Sequence, residues 1–192
     1  MKNISKIMIV LGVLLIAFYG FMVYRVNANA RKTEYKYYEK GEICEYKGFE
    51  IEVVDSKLMK MTDFREEYQL DKNEYKGASS DEEMQMCIVW LKYTRLKEGE
   101  DELCQGPGCF EFGFTNDYWY GGCIDGELFE KFNEGTNHYI TKVGESVTYV
   151  MMIPLQKIHF NKHDWEHVWE EPIYMYLLDY EGKEYISMMR IN

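Results

Sequence analysis

Acidic side chains are missing from the first 30 residues, although the chain of 192 residues holds 33 of them. Proline occurs only three times. No glycine-rich phosphate loop and no G-x-S-x-G nucleophile motif is present, so the usual signatures of nucleotide binding and serine hydrolysis fail. Internal repeats are absent as well. Residues 31–192 carry 19 basic and 33 acidic groups, a net charge of −14. Nucleic acid and anionic lipid are both bound through basic faces, and this balance argues against either as a partner. Methionine, tyrosine and phenylalanine are present in quantity, at 12, 17 and 10. Such a composition builds a packed core and not a disordered tail.

The one long apolar run is Ile7–Tyr24 (IMIVLGVLLIAFYGFMVY), eighteen residues without a charge. As a helix it reaches roughly 27 Å, close to the hydrocarbon thickness of a bilayer. Two readings stay open. Ala28-Asn29-Ala30 fits the small-residue pattern of a signal-peptide cleavage site. The length of the run and the bulky Phe21, Met22, Tyr24 and Arg25 before that site favour an uncleaved signal anchor. No cysteine lies near the end of the run, which argues against a lipid-modified terminus. Lys2 and Lys6 before it and Arg25, Arg31 and Lys32 after it do not settle the orientation. Long domains translocate largely regardless of such charges, so the expected topology is a single pass of the cell membrane. It has a cytoplasmic tail (1–6), a transmembrane anchor (7–24), a juxtamembrane linker (25–41) and an extracytoplasmic domain (42–192).

Ala30–Gly41 (ARKTEYKYYEKG) shows no apolar period and reads as spacer. Beyond it, Ile43–Tyr46 and Phe49–Val53 alternate about Lys47-Gly48, the pattern of strands with one face buried. Lys57–Leu70 is ambiguous and includes a possible helical turn, and Asn73–Glu83 reads as a loop. Met84–Leu96 (MQMCIVWLKYTRL) is apolar on both sides at its centre, as an interior strand requires. Cys104–Thr115 and Tyr118–Gly122 are aromatic and glycine-rich, Asp125-Gly126 suits a tight turn, and His138–Thr141 an edge strand. Val143–Glu145 then turns into the strand Ser146–Leu155, with Pro154 expected to fix its end. Within Asn161–Glu171, Asn161 can cap a helix, Trp165, Val168 and Trp169 form one stripe, and Pro172 stops it. Ile173–Asp179 and Glu184–Ile191 close the chain as a hairpin. The expected fold is mainly β, an antiparallel β-sandwich with one short amphipathic helix, besides the N-terminal transmembrane helix.

These pieces carry a resemblance. The strand pair GEICEYKGFEIEVVDSKL, the long strand CIVWLKYTRL, the turn and strand KVGESVTYVMMIP and the hairpin IYMYLLDYEGKEYISMMRI follow in order. In this the chain resembles the immunoglobulin-like, telokin-like domains of unknown function found outside the membrane in Gram-positive bacteria, often behind a single anchor. The likeness spans about Glu42–Asn192, and the insertion at Cys104–Asn133 departs from the pattern. It implies an immunoglobulin-like sandwich outside the membrane, and it transfers no catalytic residue.

Cys104 and Cys109 flank Gln-Gly-Pro-Gly, a segment that can turn back and bring their sulfurs together. Cys123 is an alternative partner for either, and Cys87 reads as a small core residue. Cys104, Cys109 and Cys123 match no zinc spacing, and Glu98, Glu100, Asp101 and Glu102 lack the spacing of a calcium loop. His163, Glu166 and His167 satisfy H-x-x-E-H, which would place two histidines and a base on one helical face for a zinc-dependent hydrolase. The opposing reading is an amphipathic helix with histidines on its wet side. Tyr118, Trp119 and Tyr120 are the ligand-binding candidates, able to stack on sugar faces or anchor a protein contact if exposed. No catalytic residue, metal or cofactor is assigned. The expectation is a non-catalytic, membrane-anchored binding domain, with an envelope protein, a peptide or a cell-wall carbohydrate as ligand.

Overall fold

The structure, a computed structural model, describes residues 2–29, 34–72, 74–75, 79–97, 112–116, 119–121, 126–136, 142–178 and 185–192. The chain divides into two units, Met1–Thr33 and Glu34–Asn192. The first is α1, Lys2–Asn29, whose window Leu11–Ala28 is long and apolar enough to cross a membrane. No residue of that window is buried.

The second unit is mainly β and has two sheets. The first to form in sequence pairs β2 (Ile43–Tyr46), β3 (Phe49–Lys60), β4 (Met84–Arg95) and β7 (Ser146–Gln156) in the order β2-β3-β4-β7, all antiparallel. The other holds β1 (Glu34–Tyr38), β5 (Phe112–Thr115), β6 (Tyr120–Gly121), β8 (Tyr174–Leu177) and β9 (Tyr185–Arg190), in the order β1-β9-β8-β5-β6. The β2–β3 hairpin turns on Lys47 and Gly48, both at positive φ (45° and 80°). Two positive φ values in a two-residue loop match the right-handed twist of the flanking strands, and glycine adopts one of them without strain.

Several findings differ from the sequence expectation. Glu34–Tyr38, expected within the spacer 25–41, is the edge strand β1, and it pairs parallel with β9 rather than antiparallel. A five-residue edge strand shows no apolar period of its own, because only Tyr38 at its end is buried. Short helices also number more than one: α2 (Met61–Glu67), α3 (Gly126–Phe132) and α4 (Lys162–Glu166). Gly126, expected in a tight turn, opens α3.

The reason for α2 and α3 lies in β4, which is apolar on both faces. Cys87, Val89, Leu91 and Tyr93 face the core shared by the two sheets, with Phe114, Met175, Leu177 and Met189 opposite. Met84, Met86 and Ile88 face the other way, where Met61 and Phe64 of α2 and Leu128 of α3 cover them. Phe64 and Phe132 stack at 5.8 Å and Tyr68 meets Phe132 edge-on at 4.8 Å, which ties the two helices together. Burying each of these large side chains contributes about 1.5–3 kcal/mol, and an uncovered sheet face would forfeit that.

Polar groups hold the edges. Asn133 is buried, and its amide donates to the carbonyls of Phe129 and Val150 while its Oδ1 accepts from the Val150 N–H (2.8, 2.8 and 2.9 Å). One side chain thus pairs with the free edge of β7 as a neighbouring strand would. Pro154 does not end β7, which runs on to Gln156; proline is tolerated there because the edge needs no donor. Arg65, buried in α2, reaches Asp81 through Nε (2.7 Å) and Nη2 (3.2 Å). It also donates to the carbonyls of Asp71 (2.8 Å) and Tyr75 (2.6 Å). Asn161 caps α4 by accepting from the Asp164 N–H at 2.9 Å. That helix is shorter than its apolar stripe predicts, and Val168 and Trp169 follow it in a turn, still packed on the core.

Candidate functional site

Alternation along a strand sends successive side chains to opposite faces. In the five-stranded sheet, Tyr38, Phe114, Met175, Leu177 and Met189 point into the shared core. Their neighbours therefore line the outer face: Tyr35 and Tyr37 of β1, Ile186 and Met188 of β9, Tyr174 and Tyr176 of β8, and Thr115 of β5. With Asn116 and Leu178 they enclose an open groove of about 360 Å³. Register explains the grouping. Tyr37 stands opposite Met188, Met188 opposite Tyr176, and Tyr176 opposite Gly113, so one row crosses four strands.

Gly113 shapes the floor. A Cβ there would lie 2.0 Å from Tyr176 Oη and 2.3 Å from its Cζ, so the ring can lie across β5 only because that position is glycine. Met188 and Tyr176 are buried at the base, while Tyr35 and Tyr37 stand 53% and 57% exposed as a wall. Tyr37 meets Tyr174 edge-on, with centroids 5.3 Å apart and planes at 69°. At the end of β8 the Tyr46 hydroxyl, from the other sheet, donates to the Leu178 carbonyl and fixes that corner.

The nine lining residues include no Asp, Glu, Lys, Arg or His. Arg190, outward on β9, is engaged with Glu39 at 3.3 Å and with the Asn192 carbonyl at 2.8 Å. On the opposite side of β1, the Lys36 ammonium sits 4.8 Å from the Tyr38 ring centroid, and its hydrogen bond with that phenol holds it above the ordinary lysine value. The groove itself offers ring faces, methyl and thioether surface, and uncharged polar groups: four tyrosine hydroxyls and the Thr115 and Asn116 side chains. That suits stacking and apolar contact, not proton transfer or metal ligation.

The ligand candidates read from the sequence fall beside this groove and not in it. Trp119 is half-buried; it stacks on Phe160 (5.9 Å, 29°), and a Cβ at Gly121 would come within 2.9 Å of its ring. Its aromatic surface is thereby packed on the protein's own core cluster. The Tyr120 backbone pairs with Thr115 in β6, whereas the Tyr120 side chain and all of Tyr118 lie outside the described residues. Cys104, Cys109 and Cys123, with the proposed bridge, and Glu98, Glu100, Asp101 and Glu102 lie outside them too. Cys87 is buried and free, and burial pushes its thiol far up. His163 and His167 stack at 4.6 Å, and the His167 Nδ1–H donates to the His163 carbonyl at 2.9 Å. Among the described residues no three His, Cys, Asp or Glu side chains are grouped to hold a metal.

The aromatic insertion still contributes through its turn. The Asn116 side chain accepts from the Trp119 N–H (2.7 Å), and Thr115 Oγ1 donates to the Trp119 carbonyl (2.9 Å). This places Thr115 and Asn116 at one end of the groove. The tyrosines that line it were missed in the sequence, although a signal was there. Tyr35 and Tyr37 alternate in EYKYY, and Tyr174 and Tyr176 alternate against the apolar Ile173, Met175 and Leu177.

Residues 34–180 match a family model described as a domain of unknown function, DUF5028. No curated protein matches the chain. A solved structure from Staphylococcus aureus subsp. aureus NCTC 8325, provisionally described as a lipoprotein, is 12% identical with a TM-score of 0.45, over 81% of this chain and 90% of that one. An uncharacterised β-sandwich protein from Clostridium difficile 630 is 10% identical with a TM-score of 0.40, over 85% of this chain and all of that one.

Proposed function

The chain belongs to the DUF5028 family, a domain of unknown function, and we propose that it is a non-catalytic binding domain held outside the cell membrane by its N-terminal helix. The observation that carries this reading is the tyrosine groove on the outer sheet face. Tyr35 and Tyr37 on β1 and Tyr174 and Tyr176 on β8, with β9 between them, share a concave, uncharged surface there, a combination suited to recognition. The partner in this reading is another envelope protein or a peptide. Support for the anchor comes from α1, whose apolar window matches a bilayer in length; the N-terminus is then cytoplasmic and Glu34–Asn192 extracytoplasmic. The finer likeness, to immunoglobulin-like and telokin-like domains of Gram-positive envelopes, rests on the strand and turn motifs quoted above. A carbohydrate face built on Trp119 has weaker support, because that ring packs on Phe160.

Two measurements test the proposal. Protease added to intact cells should digest the C-terminal unit, and full protection would place it inside. A photo-crosslinking phenylalanine analogue at Tyr35 should give a discrete adduct in cells, absent when the same analogue replaces Val54, which is exposed on β3 of the other sheet. Equal adducts at both positions, or none at either, would remove the groove as the binding face.

A further inference from the structure

We infer that the groove takes an extended peptide segment rich in proline and flanked by lysine or arginine. The inference rests on the tyrosine groove being the binding face, and three observations narrow the ligand.

The first is the kind of hydrogen-bonding group on offer: four tyrosine hydroxyls, with Thr115 and Asn116 as the other polar side chains of the lining. Thr115 Oγ1 donates to the carbonyls of Asn116 (3.1 Å) and Trp119 (2.9 Å), and Asn116 Oδ1 accepts from the Trp119 N–H (2.7 Å). These polar side chains at the groove's end are committed to the turn. What remains is chiefly phenol O–H, which can donate to peptide carbonyls, whereas each backbone N–H taken from water would need an acceptor in turn. Proline brings no N–H and an apolar ring, so a proline-rich segment gives up least.

The second is shape. Tyr37 and Tyr174 stand at 69° to one another. With centroids 5.3 Å apart they are in contact and form one angled aromatic surface, on which the compact pyrrolidine ring of proline can pack. Four strands at about 4.8 Å spacing put the ends of the row roughly 14 Å apart. A polyproline II segment rises about 3.1 Å per residue, so four or five residues cross the row. That conformation exists before binding, which keeps the ordering cost low.

The third is charge. The lining is neutral, yet Glu34–Asn192 carries 17 basic and 33 acidic residues, a net of −16. A neutral groove in a strongly negative body repels acidic segments at long range and steers basic ones toward it.

The test uses the full chain in nanodiscs of zwitterionic lipid, which removes attraction of basic peptides to the bilayer. The probes are a peptide of consecutive prolines with arginine at both ends, the same peptide ending in glutamate, an arginine-flanked Gly-Ser peptide of equal length, and a chitin oligosaccharide. The arginine-flanked proline peptide should bind. Its glutamate counterpart should be about 10-fold weaker at low salt, with the gap closing as salt screens the field. The Gly-Ser peptide should not bind measurably. Tyr37→Ala should weaken the proline probe about 10-fold or more, Tyr37→Phe less than about 3-fold, and Ile158→Ala, an exposed position outside the groove, not at all. Equal binding of the Gly-Ser and proline peptides would overturn the inference. So would an oligosaccharide that binds in a Tyr37-dependent way while the proline peptide does not. In that second case the crosslink at Tyr35 persists, so the ligand class falls and the groove stands; loss of the crosslink as well removes both.

Discussion

Replacing Gly113 with alanine puts a methyl group into the ring of Tyr176. The new Cβ would sit 2.0 Å from Oη, 2.3 Å from Cζ and 2.6 Å from Cε1, against a normal carbon contact of roughly 3.5–4.0 Å. The ring must therefore retreat by about 1.5–2 Å. Tyr176 is only 8% exposed, and β5 blocks it on one side, so it can move only outward into the groove. Overpacking of this kind costs about 1–3 kcal/mol, part of it from a side chain forced off its preferred rotamer. Tyr176→Ala destabilises for a different reason, the loss of a buried ring, at about 2–4 kcal/mol. If the clash causes the first loss, removing the ring abolishes it. The double variant should then be about 1–3 kcal/mol more stable than the sum of the single effects. Urea unfolding of all four proteins in nanodiscs, followed by near-ultraviolet circular dichroism of the C-terminal unit, measures the cycle. Equal urea dependences among the four would license the comparison. An unchanged midpoint for Gly113→Ala would refute the reasoning, and so would a penalty that persists undiminished beside Tyr176→Ala. Because the displaced ring fills the groove, the Tyr35 crosslink should weaken in Gly113→Ala as well.

Asn133→Ala removes the three hydrogen bonds to Val150 and Phe129 and should cost about 2–3 kcal/mol, read as a lower urea midpoint; a loss under about 0.5 kcal/mol would mean that water replaces the amide. Asp81→Asn leaves the buried Arg65 guanidinium without its carboxylate. Since Asp81 is one quarter exposed, the expected loss is about 1–3 kcal/mol, below that of a fully buried pair, with amide exchange rising first around Asp71 and Tyr75. Burial raises the Cys87 thiol far above its ordinary value, so iodoacetamide should label Cys87 only after unfolding, and labelling of the native protein would contradict the burial. His167 is held above the ordinary 6.5, chiefly by its bond to the His163 carbonyl, and its ring protons should titrate above that value by NMR. A raised folded-state value stabilises most below 6.5, and the gain is lost as pH rises through the folded value. The thermal advantage of the native protein over His167→Gln should accordingly shrink toward alkaline pH.

Local pattern carried much of the fold. The two-sided apolar character of Met84–Leu96 marked an interior strand, and Lys47-Gly48 marked the hairpin turn, because both depend on near neighbours in sequence. Strand β1 left no such mark. It exists through parallel pairing with β9, more than a hundred residues further along, and an edge strand with one buried residue has no apolar period to display. Short helices α2 and α3 were obscured for a related reason. Their purpose is to cover Met84, Met86 and Ile88, and that need appears only once β4 sits between two layers.

The candidate site divides along the same line. An acidic body behind an apolar N-terminal segment, rich in tyrosine and arranged in alternating strands, could be read residue by residue, since charge, hydropathy and strand period are local properties. Which tyrosines stand together could not. Tyr37 faces outward because strand register sets its face, and a shift of one residue in β1 would turn it inward, whereas Trp119, just before β6, packs on Phe160. The groove gathers Tyr35 and Tyr37 from one end of the chain with Tyr174, Tyr176, Ile186 and Met188 from the other. That meeting is a product of sheet order, and sheet order is settled by long-range packing.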